Sequence, residues 1–282
     1  LHYPLRRQRQ MCIRDSTHDT FGDPEHVLTV TERPTPEPGP GQVRLKIVLS
    51  PIHNHDLWTI RGTYGFKPEL PAASGTEALG IVDALGEGVD SLAVGQRVAT
   101  GGTFGAWAEY VVANAAGLIP VPESLSDESA AQLVSMPFST ISLLEFLGAE
   151  KGDWIVQNAA NGAVGRMLAQ LGAARGVNVI GLVRRSAGVD ELREQDIENV
   201  VSTDDDGWRE QVAEITGGAH IAFGIDSVGG SSAGDVLSLL GEGGTLVAFG
   251  AMNSPTMEIA SGDVIFKPVS YTHLTLPTKR IV

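Results

Sequence analysis

From about Thr20 to Pro122, apolar and polar positions alternate in short runs broken by glycine and proline: HVLTV (26–30), VRLKIV (43–48), GIVDALGEGV (80–89), RVAT (97–100) and EYVVA (109–113). A period of two at this spacing predicts a compact all-β unit, because successive side chains of a strand point to opposite faces. Ser126, followed by Asp127 and Glu128, predicts a helix start, and Phe138 to Leu147 predicts a second helix stopped by Gly148. From Lys151 the pattern changes. Strand-like runs WIV (154–156), VNVIGLV (177–183), VV (200–201), IAFGI (221–225) and TLVAF (245–249) alternate with helical segments from Ala163, near 190, over 207–215 and from Ser231 to Leu240. Such alternation needs right-handed crossovers and predicts a parallel sheet covered on both faces. Five strands are read here, where a dinucleotide-binding sheet usually has six.

The two ends do not share this patterning. Residues 1–16 (LHYPLRRQRQMCIRDS) hold four arginines, one aspartate and no apolar period, and 269–282 (VSYTHLTLPTKRIV) do not fit what precedes them. Both strings resemble translated sequencing-adapter sequence and are expected to be a non-native leader and tail. The body is then 17–268, a first domain over 17–125 followed by linking helices and a C-terminally truncated cofactor domain over 126–268. An organelle transit peptide is the second reading of the arginine-rich start.

Charge and composition narrow the classes. The chain has 20 basic and 34 acidic side chains, a net charge of −14; the end strings hold 6 of the former and 1 of the latter, so the body carries −19. That balance argues against bulk electrostatic binding to nucleic acid or an anionic membrane. No apolar run approaches the roughly 18 residues that cross a bilayer. The single cysteine, Cys12, excludes an intrachain disulfide framework, and a reduced, cytoplasmic setting is expected. Glycine, 34 of 282 residues, marks many tight turns.

One of those turns carries cofactor chemistry. In WIVQNAANGAVGRMLAQLGAARG, Ala160, Gly162 and Gly165 occupy the positions of a G-x-G-x-x-G fingerprint after an apolar strand, and Val164, Met167, Leu168 and Leu171 recur at helical spacing up to Gly176. Such a turn offers backbone N–H groups and a helix N-terminus to a pyrophosphate. The second strand ends in Arg184-Arg185-Ser186, where an NAD site places Asp or Glu for the ribose 2′-hydroxyl. Two guanidiniums can fork onto a 2′-phosphate, which makes NADPH the expected cofactor; a solvated surface pair is the plainer alternative. His53, His55 and Asp56 of HNHD (53–56) have metal-ligating side chains, but on an extended segment successive positions point to opposite faces, so only the two histidines share one and the ligands are too few.

An all-β domain, a linking helix and a nucleotide-binding sheet in this order resemble the medium-chain dehydrogenase/reductases over essentially all of 17–268. The strings that carry the resemblance are GTEALGIVDALGEGV (75–89), VGQRV (94–98), GAWAEYVV (105–112), IPVP (119–122), DSVGG (226–230) and GGTLVAFG (243–250). The resemblance implies an α/β fold, a GroES-like all-β domain followed by a Rossmann-type parallel-sheet domain. Zinc members of the superfamily ligate metal with cysteine and histidine. At the catalytic-zinc positions this chain carries His53, Thr76 beside Glu77, and Met136; Thr76 and Met136 are poor ligands, so no metal is expected. More similar is the zinc-independent branch of NADPH-dependent 2-enoyl thioester reductases, through SPIHNHDLWTIRGTYGFKPELPA (50–72), VQNAANGAVG (156–165) and VIFK (264–267).

That branch implies Tyr64 as the active-site tyrosine. It places Asn161, Gly162, Ala163, Val164 and Gly165 at the pyrophosphate, Arg184, Arg185 and Ser186 at the 2′-phosphate, and Phe249, Gly250, Ala251 and Met252 on the nicotinamide side. His53 and Met136 replace asparagines of the branch, and its aromatic substrate-pocket segment after VIFK is missing. The expected activity is reduction of an activated C=C bond by hydride transfer, with Tyr64 donating a proton or hydrogen bond. Two alternatives stand beside it: an NADPH:quinone oxidoreductase and a non-catalytic nucleotide-binding fragment. The expected partner is a small-molecule substrate rather than nucleic acid or membrane. Relatives commonly dimerise through the sixth sheet strand, so a homodimer is expected of the full-length parent, while loss of that strand would leave an open edge and make one doubtful for this chain.

Overall fold

The computed structural model describes residues 12–273, and two units divide the chain between Ser135 and Met136. The first contains β1 (Cys12–His18), α1 (Pro24–Val27), β2 (Thr29–Pro34), β3 (Gln42–Leu49), α2 (Asn54–Arg61), β4 (Ala72–Ala73), β5 (Glu77–Leu85), β6 (Arg97–Gly101), β7 (Tyr110–Asn114), β8 (Ile119–Pro120) and α3 (Asp127–Ala131). Its strands form two sheets of antiparallel pairs, ordered β2-β1-β4 and β7-β3-β5-β6-β8. The alternation in VRLKIV is realised directly: Val43 and Leu45 are buried with Val82, Val98 and Val111, while Lys46 is exposed.

Several expectations are corrected in this unit. The apolar run at 26–30 does not begin as a strand, because Asp23 caps the N–H of Glu25 and Pro24 sits in the first turn, so one helical turn precedes β2. The HNHD segment is not extended. Asp56 accepts the His53 N–H at 3.0 Å, half of a capping box, and Gly62 closes α2 at φ +72, a left-handed position that glycine adopts without strain. The fold also begins before residue 17, for Cys12 to Thr17 pair residue by residue with Pro34 to Thr29. Backbone pairing uses N–H and C=O groups that every non-proline residue carries, so it needs no apolar period. Residues 1–11 of the expected leader and 274–282 of the expected tail lie outside the described residues. Finally, the division falls at 135/136 rather than 125/126, because Ala130 and Ala131 of α3 pack on Leu79, Ala99 and Val121 of the first unit.

The second unit continues with α4 (Ser135–Leu147), β9 (Trp154–Gln157), α5 (Ala163–Arg175), β10 (Asn178–Val183), α6 (Ser186–Arg193), β11 (Val200–Ser202), α7 (Trp208–Thr216), β12 (Ile221–Asp226), α8 (Ser231–Leu239), β13 (Thr245–Ala248), α9 (Ser261–Ile265) and β14 (Ser270–His273). All neighbouring strands of its sheet are parallel, in the order β11-β10-β9-β12-β13-β14. Adjacent residues of β9 serve opposite faces. Val156 packs with Trp208 and Val212 of α7 and Val236 and Leu237 of α8, while Ile155 packs with Leu143, Leu144 and Leu147 of α4 and Leu168 of α5. The expectation of a five-stranded sheet is therefore corrected: Ser270 to His273 pair in parallel with Thr245 to Ala248 and supply the sixth strand from inside the expected tail.

Candidate functional site

Chain order reverses at β9, which has β10 on one side and β12 on the other, and every strand runs the same way. The loops after β9, β10, β12 and β13 therefore leave one edge of the sheet, at the switch point where doubly wound folds bind ligands. These loops and the starts of α5 and α6 hold Asn161 to Gly165, Arg184 to Ser186, and Phe249 to Met252, and so bring all the sequence-predicted cofactor residues to one edge.

The turn before α5 fits a phosphate group. Asn161, Gly162 and Ala163 are exposed, and Gly162 caps α5 without a side-chain hydrogen bond, leaving the first helical N–H groups without a capping side chain. Gly165 is buried for a different reason. A Cβ there would meet Ala160 O at 2.7 Å and Ala159 O at 2.8 Å, both backbone atoms that cannot swing away. At the end of β10, Arg184 and Arg185 are exposed and, among the described residues, their guanidinium groups have no ion-pair or hydrogen-bond partner. Ser186, at the start of α6, donates to Asp205 Oδ1 at 3.1 Å. Two free guanidiniums suit a 2′-phosphate; the Asp205 carboxylate beside Ser186 works against one. Phe249 and Gly250 are half-buried, whereas Ala251 and Met252 are exposed.

In the first unit Tyr64 is half-buried two residues after the α2 cap. Its ring centroid lies 6.0 Å from that of His55 and 6.5 Å from that of Trp58. Beneath it lies a polar network. His55 Nε2 and Thr76 Oγ1 are 2.8 Å apart, and Thr76 donates its hydroxyl proton to Asp56 Oδ1 at 2.8 Å. A hydroxyl has one proton, so Thr76 must accept from His55, which fixes the proton of His55 on Nε2. Burial pushes the His55 imidazole below its ordinary value; Asp56 opposes the shift and His53 adds to it. The His53 ring stacks on His55 at 5.0 Å, and His53 Nε2 donates to Glu77 Oε2 at 2.5 Å. Burial alone would raise the Glu77 carboxyl, but His53 and the N–H groups of Ser135 and Val134 outweigh it and hold it below the usual carboxylate value.

Tyr64 is shifted the other way. Burial, with the Asp56 charge behind it, raises its phenol above the ordinary value, so it stays a proton donor at neutral pH. Among the described residues its hydroxyl has no hydrogen-bond partner. The residues do not assemble a zinc site: among the described residues no group of three or more His, Cys, Asp or Glu is arranged to hold a metal, and Nε2 of His53 and of His55 already donate to Glu77 and Thr76. Met136 is half-buried in the second unit, where α4 begins.

Comparison with known proteins agrees with this architecture. Residues 39–123 match the alcohol dehydrogenase GroES-like domain and 163–281 the zinc-binding dehydrogenase family. The mitochondrial enoyl-[acyl-carrier-protein] reductase of Arabidopsis thaliana is 31% identical over 259 residues, covering 90% of this chain and 69% of that protein. A crystal structure from Bacillus thuringiensis described as an NADPH:quinone reductase superposes with a TM-score of 0.85 at 26% identity, over 94% of this chain and 80% of that one. The mycobacterial protein Rv1454c complexed with NADPH gives 0.82 at 28% identity, over 94% and 82%. A GroES-like unit, a six-stranded doubly wound sheet and these relatives together establish that the chain belongs to the medium-chain dehydrogenase/reductase superfamily of oxidoreductases, in its enoyl reductase and quinone oxidoreductase-like branch.

Proposed function

We propose that the chain is an NADPH-dependent reductase of an activated C=C bond, a 2-enoyl thioester or an enone, with Tyr64 as the proton or hydrogen-bond donor. The observation that carries the reading is Tyr64 itself: a half-buried phenol, raised above its ordinary value, with no partner for its hydroxyl among the described residues. When bound, NADPH supplies the hydride. Reduction of a C=C bond conjugated to a carbonyl gathers charge on the carbonyl oxygen and calls for a proton at the α-carbon, and a phenol donates to either position.

Toward the cofactor, Arg184 and Arg185 would hold the 2′-phosphate, the turn from Asn161 to Gly165 the pyrophosphate, and Phe249 to Met252 would border the nicotinamide. The enoyl-[acyl-carrier-protein] reductase named above supports the C=C substrate, and the NADPH complex of the mycobacterial protein supports the cofactor. A second reading, quinone reduction, is favoured by the Bacillus thuringiensis structure, described as an NADPH:quinone reductase.

The test is NADPH oxidation by the purified chain with a crotonyl thioester, a simple enone and a quinone. Turnover greatest with the thioester or enone is expected, turnover with quinone alone moves the assignment to the second reading, and none with any of the three overturns both. We further infer a cytoplasmic setting and a homodimer through the edge of β14; cell fractionation and sizing chromatography test these. No helix among the described residues is long and apolar enough to cross a membrane.

A further inference from the structure

Three segments of the cofactor edge converge on two buried side chains that take no part in the reading above. Asn158, 6% exposed, directly follows β9, and Asp226, 0% exposed, ends β12. Asn158 Nδ2 donates to Asp226 Oδ1 at 2.6 Å, and Asn158 Oδ1 accepts the Ser227 N–H at 2.7 Å. The same Asp226 oxygen accepts the N–H groups of Val228 and Gly229 at 3.1 and 3.0 Å, which curls the DSVGG loop around the carboxylate. Among the described residues no cation meets this buried carboxylate; its donors are one amide and two backbone N–H groups, and removing any of them leaves a buried acceptor short.

Each partner also commands a loop. On one side, Asn158 leads into the turn before α5, where Ala159 is held at φ +50, a left-handed conformation that a non-glycine residue keeps only under external constraint. Ala159 O in turn accepts the Gly162 N–H at 2.9 Å. On the other side, the Asp226 carbonyl accepts the N–H groups of Phe249 and Gly250 at 2.7 and 3.2 Å, and Ser227 O accepts that of Met252 at 3.0 Å. A Cβ at Gly250 would lie 3.0 Å from Ser227 O, so this segment rests directly on the DSVGG loop.

We propose that Asn158 and Asp226 are positioning residues for the dinucleotide: their hydrogen bond locks the pyrophosphate turn to the loops that border the nicotinamide, so that one buried contact sets the spacing between the two ends of the cofactor site. The proposal rests on the NADPH reading above. Neither side chain is asked to touch the cofactor.

Binding of NADPH, NADH and 2′,5′-ADP to the full chain, titrated well below the melting temperature, tests it. Asn158→Asp keeps the acceptor for Ser227 but sets a carboxylate against Asp226, and Asp226→Asn keeps the shape and one acceptor oxygen. In Asn158→Asp the Kd for NADPH and for NADH should rise by the same factor, tenfold or more, whereas 2′,5′-ADP, which lacks the nicotinamide end, should weaken less than threefold. Asp226→Asn should follow the same pattern at three- to tenfold for the dinucleotides, and both variants should lose part of the fluorescence gain of bound NADPH. Dinucleotide affinities unchanged in both folded variants, with only the melting temperature lowered, overturn the proposal, as does an equal loss for all three ligands. If instead the unaltered chain binds neither NADPH nor NADH, the cofactor reading itself has failed, which is a separate outcome.

Discussion

The polar network under Tyr64 and the edge of the parallel sheet build sites by opposite means. At the sheet edge the work falls to backbone: a turn with uncapped N–H groups, a helix start packed too closely for a Cβ at 165, and loops tied by main-chain hydrogen bonds. Under Tyr64 it falls to side chains, with His53, His55, Asp56, Thr76 and Glu77 fixing one another's protons. The difference teaches that the first region should tolerate most side-chain changes that leave its glycines, the turn and the Asn158–Asp226 pair intact. In the second, single-atom changes should alter chemistry while leaving the fold in place.

The largest effect expected is at Tyr64. Tyr64→Phe removes the donor and little else, and steady-state turnover should fall by about 10²–10⁴-fold, the range of a lost general acid, with the Kd for NADPH within twofold of the parent. Unchanged turnover would place the proton donor elsewhere and dissolve the contrast between the two regions. Next comes Arg184→Ala, where the sheet edge is proposed to meet the cofactor through side-chain charge. Loss of a charged hydrogen bond of about 1.5–3 kcal/mol should raise the KM for NADPH by roughly 10- to 100-fold and leave that for NADH nearly unaltered. Equal changes for both cofactors would remove the 2′-phosphate from this arginine.

Smaller effects sharpen the same comparison. Asp205→Asn removes a like charge beside Ser186, and NADPH should bind more tightly by roughly two- to fivefold, the scale of one exposed charge interaction; weaker binding measured by titration would show that Asp205 supports the site instead. His55 gives the smallest. Its folded value lies below the ordinary 6.5, so the unfolded chain takes up the proton first as pH falls. Stability present above about 6.5 should be lost from there down to the lower folded value. Thermal melts between pH 7 and 5 should show a smaller loss for His55→Gln than for the parent.

The same contrast decides how much could be read from the chain. The parallel sheet and its cofactor edge were legible because each strand-turn-helix is local: WIV, the turn and the spaced apolar residues to Gly176 lie within one run of sequence. The sixth strand was not, since Ser270 to His273 join the sheet through backbone pairing with β13 and carry no apolar alternation to announce it. Tyr64 was reached through family likeness. Its surroundings are not legible because an extended HNHD would set Asp56 on the face opposite His53 and His55; the capping acceptor Asp56 and the stop at Gly62 are the available signals. Asn158 and Asp226 are illegible for a similar reason. They stand 68 positions apart, and only pairing of β9 with β12 brings them together.

The forced tautomer of His55 makes the network observable without substrate. With the proton fixed on Nε2 by Thr76, Nδ1 is left as a bare ring nitrogen, so the two ¹⁵N resonances of this one imidazole should be widely split, Nδ1 at the pyridine-like end and Nε2 at the pyrrole-like end. Histidines free to exchange tautomers average the two. Thr76→Val would let His55 join them, and the collapse of that splitting would report the state of the whole chain from Asp56 to the ring beneath Tyr64.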